Sequence, residues 1–180
     1  MLIANQKRYE NIAEYLLYMF QIEDLIRAYN FDIDLLEANI IEKFEQPYQV
    51  KRDIREWYLS LIRMMKSKEL DHSGHVPIVK SLIDELESFH NRLLLDEKET
   101  RYQIAYLKVR LSIDSLRVKS GGKSYGEIEL CLNGLYGLLM LRLTKKEISQ
   151  ETSSAFGLIS EFIALLSVKY HQYELGIKEF

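Results

Sequence analysis

The stretch YQIAYLKVRLSIDSLRVKSGGKSYGEIE, residues 102–129, decides the fold. Its second half contains Gly-Gly-Lys-Ser, the tail of a phosphate-binding loop, and such a loop follows a β-strand in an α/β protein. Its first half argues against that. Tyr102, Ala105, Val109, Ile113 and Leu116 fall at steps of three and four, the spacing of one helix face, and reach almost to the glycines. The complete loop, G-x-x-x-x-G-K-[ST], also needs glycine five residues before Gly122, where the chain has Arg117. Gly121 or Gly122 instead suits the left-handed residue that ends a helix. Ser124 and Glu127 then read S-x-x-E, the reciprocal cap that starts the next helix. The Glu127 carboxylate would fill the amide-rich end that a phosphate needs. The stretch is therefore read as the corner between two helices, with an anion site at Lys119 and Lys123 as the minor alternative.

The same periodicity recurs outward from this corner. Val50, Ile54, Trp57, Leu61 and Met64 form one stripe, and Val79, Leu82, Leu86, Phe89 and Leu93 another. Phe156, Ile159, Phe162, Leu166, Tyr170 and Tyr173 form a third. Each predicts an amphipathic helix with one buried face, and no strict alternation of strand type persists. The fold expected is all-α: a single domain over residues 1–180, a compact bundle of six to seven mostly antiparallel helices.

Punctuation sets the expected bounds. The first helix runs from near Asn5 to Tyr29, and Asp32 caps a second that reaches Glu45. Pro47 suits the first turn of a third. DHSGHVP, residues 71–77, is the clearest loop. A fourth helix ends near Leu95 and a fifth runs from about Glu97 to Lys119. A sixth follows the glycines, and Ser149 caps the seventh with Glu151 in its first turn.

The first helix is apolar almost all round, through Ile12, Tyr15, Leu16, Met19, Phe20, Ile22 and Ile26, so it is expected to be central. Its polar residues then gain interest. Glu14, Gln21 and Asp24 lie within about a quarter turn of one another. Glu23 and Arg27, four apart, are read as a surface pair. In the sixth helix the stripe Cys131, Leu135, Leu138 continues onto Arg142, where a leucine would be expected. A guanidinium does not lose its charge, so a buried Arg142 needs a carboxylate, and Glu14 and Asp24 are the expected partners. That pairing is either a register-fixing ion pair or the floor of a polar-ligand pocket.

Other chemistry is thin. Glu87 with His90, and Glu69 with His72, read E-x-x-H, but the pairs are too close in sequence to face each other as di-metal bundle ligands do. Asp71, His72 and His75 could clip a metal on a loop, yet a solvated loop is favoured, and no metal or cofactor is expected. No G-x-S-x-G elbow is present. Cys131, the one cysteine, lies among leucines and reads as a small buried hydrophobe. Tyrosines at core spacing read as packing residues whose hydroxyls reach polar partners.

Composition narrows the classes. A net charge of −3 with scattered basic residues argues against nucleic acid. The longest apolar runs, Tyr15–Phe20 and Leu135–Leu141, fall far short of the ~20 residues a bilayer needs, so no membrane is expected. A cytoplasmic setting is the default expectation.

NIAEYLLYMFQIEDLIRAYNFD at residues 11–32, REWY at 55–58, KSGGK at 119–123 and EIELCLNGLYGLLMLRLTKKEISQET at 127–152 carry a resemblance. The chain resembles an uncharacterised all-helical family of Bacteroidetes proteins, domain of unknown function 4924, along its whole length and least over residues 66–76 and 96–104. The resemblance implies a bacterial, cytoplasmic helical protein and supplies no activity. Two functions stay open. One is a non-enzymatic module that binds a partner, including a second copy as a dimer. The other is a small-ligand binder or enzyme with a buried polar pocket between the first and sixth helices. An exposed apolar groove would favour the first, and a closed cavity lined by Glu14, Asp24 and Arg142 the second.

Overall fold

The computed structural model describes residues 2–121 and 125–177, and all regular structure among them is helical. The described residues form α1 (Leu2–Glu10), α2 (Ile12–Ala28), α3 (Ile33–Asn39), α4 (Tyr48–Ser67), α5 (Pro77–Leu95), α6 (Thr100–Lys119), α7 (Glu127–Leu143) and α8 (Gln150–Glu174). Short 3-10 turns at Ile41–Lys43 and Glu97–Glu99 follow α3 and precede α6.

Eight α-helices replace the six to seven expected because the first one is broken. Asn11 leaves the helical region, with φ −157° and ψ 109°, and its side-chain oxygen accepts from the N–H of Ala13 and Glu14 at 3.0 and 3.2 Å. It is an N-cap inside what reads as one periodic run. The two pieces differ in role. α2 buries Leu16, Met19, Phe20, Ile22 and Ile26 and packs on α7 and α8, so it holds the centre expected of the whole first helix. α1 is largely exposed, and its Arg8 forks onto Glu174 at the end of α8, at 2.9 and 2.6 Å.

The other caps follow the sequence. Asp32 accepts from Asp34 and Leu35 N–H groups, and Ser149 from Thr152 N–H. Pro47 stands one place earlier than expected, as the N-cap of α4. Gly121, at φ 72°, is the left-handed residue after α6. Gly122, Lys123 and Ser124 lie outside the described residues, and with them the expected Ser124 cap and the Lys123 anion site.

α6 and α8 run antiparallel. Glu99, just before α6, pairs with Lys169 near the end of α8, while Leu116 and Phe156 at the other end both meet Gly134 of α7. One core runs through the bundle, with Tyr58, Phe89, Tyr102, Phe162 and Tyr170 among its largest buried side chains.

Candidate functional site

The site begins with a carboxylate where a hydrophobe would fit. Met19, Glu23 and Ile26 fall at steps of four and three on the buried face of α2, and Glu23 is 0% exposed. A buried carboxylate must be compensated. Its Oε1 accepts from the backbone N–H of Val76 at 2.8 Å, and its Oε2 lies 2.6 Å from His75 Nδ1. The sequence reading that paired Glu23 with Arg27 on the surface is corrected: Glu23 points inward, and Arg27 bonds Asp24 at 2.9 Å.

The loop over Glu23 is fixed from several directions. The His75 ring stacks on Phe20, centroids 4.0 Å apart and planes 17° apart. Arg27 donates to the carbonyls of Leu70 (3.0 Å) and Gly74 as well as to Asp24. Gly74 has φ 90°, which strains any side chain, and it sets the bend that brings its carbonyl to Arg27. On the opposite wall, the Tyr136 hydroxyl of α7 donates to Asp24 at 2.7 Å. Burial first, and then that bond, pushes the Tyr136 phenol well above its ordinary range. Glu129, Asn133 and Tyr136 fall at steps of four and three along one face of α7. Together these groups bound a cleft of about 320 Å³.

The cleft lies between α2 and α7, the counterparts of the first and sixth helices, but has a different cast from the one expected. Asp24 lines it. Glu14 does not; it is exposed and pairs with Lys7 at 2.9 Å. Gln21 is half-buried outside it. Arg142 is corrected outright. Burial along α7 fades after Leu138, so position 142 emerges into solvent in the last turn, without an ion pair among the described residues. The cleft that Asp24 lines includes neither Glu14 nor Arg142 among the described residues.

The remaining candidates are structural. Glu87 of the E-x-x-H accepts from the N–H of Glu127 and Ile128 at 3.1 and 2.9 Å, so it closes the start of α7. Glu127 lies 3.6 Å from His90 Nε2 and 3.6 Å from Arg117, and its expected reciprocal cap with Ser124 falls outside the described residues. His90 is buried with Nδ1 2.8 Å from the Tyr102 hydroxyl. Cys131 is buried, and desolvation with the nearby Glu127 and Glu87 carboxylates pushes its thiol up to about 12. His72 lies exposed on its loop, and Lys119 is exposed at the end of α6.

A second feature lies on the far side of the bundle. α6 has two apolar stripes, one buried through Tyr102, Val109 and Ile113, and one outward through Ile104, Leu107, Leu111 and Val118. These four are 49, 62, 75 and 81% exposed. Beside them an apolar groove of about 730 Å³ runs between α6 and α8. α8 is long and apolar enough to cross a membrane by length and composition, and only 28% of its 18-residue apolar window is buried.

The family model for DUF4924, a domain of unknown function, matches residues 1–176. The chain belongs to that family. No curated protein and no solved structure matches it. In this DUF4924 chain the segments that carry the resemblance build the walls just described: residues 11–32 supply Glu23 and Asp24, and residues 127–152 supply Glu129, Asn133 and Tyr136.

Proposed function

We propose that this protein is a non-enzymatic, cytoplasmic helical module that pairs with a second copy of itself through the outer face of α6. The observation that carries the reading is the exposed stripe Ile104, Leu107, Leu111 and Val118, spaced three, four and seven residues apart. That is the spacing of a coiled-coil seam, and such a seam is stable only against another apolar face.

α6 is basic, with Arg101, Lys108, Arg110, Arg117 and Lys119 beside the single acid Asp114, and a copy of the same chain offers that acid a basic partner. A two-fold axis between Leu107 and Leu111 sets Leu107 of one copy against Leu111 of the other, with the two α6 helices antiparallel. Position 114 then faces position 104, whose neighbours one turn away are Arg101 and Lys108. Position 114 is Asp114, and all three charges are exposed, with no ion pair among the described residues. Pairing sets Asp114 between Arg101 and Lys108 of the other copy, and the same axis sets Lys108 opposite Arg110.

The test is the solution mass. Light scattering at high micromolar concentration should give twice the chain mass of 21.3 kDa. Lys108→Glu should weaken the dimer, and Asp114→Lys in the same chain should restore it. A 21.3 kDa species throughout, or charge variants that leave the mass unchanged, would sink the reading.

A further inference from the structure

α6 carries five cations and a single acid, in a chain whose net charge is −3. At about 3.6 residues per turn, Arg101, Lys108 and Lys119 fall along one edge of the exposed stripe Ile104, Leu107, Leu111 and Val118. Arg110 and Arg117 fall along the other edge. Arg117 is engaged by Glu127 and the Tyr125 carbonyl. The other four cations are exposed and have no ion pair among the described residues. Apolar side chains between two rows of cations are the pattern of a helix that lies in a membrane interface, its cations reaching up to the phosphates. Lying there needs a stripe along one helix face, not an apolar run of spanning length.

A second copy matches this face only in part. It pairs Asp114 but sets Lys108 opposite Arg110, like charge against like. Nucleic acid, or an acidic chain without apolar side chains, meets the cations and leaves the stripe in water. An anionic bilayer meets both, with phosphates along each edge and acyl chains beneath Ile104, Leu107, Leu111 and Val118. The shape agrees. The apolar ground continues through the groove onto Leu158 and Leu165 of α8, so it is a broad face rather than the ridge of one helix. Asp114 on α6 and Glu161 in the groove oppose docking, against the four exposed cations.

We infer that α6 docks on an anionic lipid surface, lying parallel to it with Leu107 and Leu111 inserted. The inference uses the face read above as the pairing face but does not need the pairing; lipid and a second copy exclude one another there.

Co-sedimentation of the full chain with vesicles tests it. Vesicles of phosphatidylcholine and phosphatidylglycerol in equal parts should carry the protein down, and phosphatidylcholine alone should not. Lys108→Gln and Arg110→Gln should each weaken binding about five-fold, the worth of one cation near an anionic surface. Emission from a Leu111→Trp variant should shift to the blue on the anionic vesicles, over the Trp57 background. Leu111→Glu, which changes a side chain 75% exposed, should fold and stay in solution. Binding by a chain that light scattering finds at 21.3 kDa supports the inference even as pairing fails. A dimer that ignores the vesicles overturns it while pairing stands. So does equal sedimentation with phosphatidylcholine alone, sedimentation that Leu111→Glu does not touch, or an unshifted Leu111→Trp emission. Polyglutamate that binds as tightly as the vesicles also overturns it, in favour of an acidic protein partner.

Discussion

The carboxylate of Glu87 sits against Gly126 and closes the start of α7, and a Cβ on Gly126 would lie 2.4 Å from Glu87 Oε2. Glycine is therefore needed for space, since its φ of −59° suits any residue. Gly126→Ala should push the carboxylate off the Glu127 and Ile128 amides and cost about 1 kcal/mol, the usual worth of an N-cap. In a Glu87→Ala background the same change should be neutral, or stabilise by about 0.4–1 kcal/mol through a stiffer unfolded chain. Urea denaturation of the four proteins checks this. Additive losses would show that Glu87 is not what Gly126 makes room for.

Two more glycines of α7 should respond in opposite directions. A Cβ at Gly134 would meet Leu116 Cδ2 at 2.6 Å and Phe156 Cε1 at 2.9 Å, where α7 presses on α6 and α8. Gly134→Ala should cost about 1–3 kcal/mol by overpacking. Gly137 has nothing within 4 Å of such a Cβ. Gly137→Ala should stabilise by about 0.5–1 kcal/mol on helix propensity alone. Thermal melts of both variants should move apart, and a shared sign would mean the helix packs differently.

These glycines also show where the sequence was readable. The stripes at steps of three and four gave the helices because burial acts on whole faces, and Asp32 and Ser149 cap as read because an N-cap bonds only its own next turn. Asn11 was equally local, with N-x-x-E before an apolar run, but the apolar pattern continued through the break and hid it. The site was harder. Met19, Glu23 and Ile26 already place Glu23 on the buried face, whereas its partner His75 lies 52 residues away on a loop with no periodicity. Only the fold brings them together. Arg142 failed for the converse reason: a stripe in sequence does not say where a helix leaves the core.

Stability towards acid should depend on Glu127. The contact with His90, then the Tyr106 hydroxyl and the charge of the nearby Arg117, hold its carboxyl below the usual range against the opposing effect of burial. A carboxyl depressed in the folded state contributes stability above its unfolded pKa of about 4.3, and that contribution is lost as pH falls through the folded value. Glu127→Gln should therefore be less stable than the parent at neutral pH, with the difference shrinking below about pH 4. A series of urea midpoints from neutral to acid pH reads this directly. A difference that stays constant with pH would assign the loss to packing.

The Glu23–His75 bond should show itself as a charge that cannot be left alone. His75→Ala removes the Nδ1 donor and leaves a carboxylate with 0% exposure held by Val76 N–H only. An uncompensated buried charge of this kind costs about 3–5 kcal/mol. Glu23→Gln removes the charge but keeps an oxygen for Val76 N–H and gains an amide that can donate to Nδ1, so it should cost only about 1 kcal/mol. The combined variant, Glu23→Gln with His75→Ala, should then be more stable than His75→Ala alone, although it carries one more substitution. The reason is that the glutamine amide, unlike a carboxylate, does not depend on the Nδ1 donor once the imidazole is gone. Urea midpoints of the four proteins decide the order. A combined variant less stable than His75→Ala would show that Glu23 is stabilised by its other surroundings and that His75 only covers it.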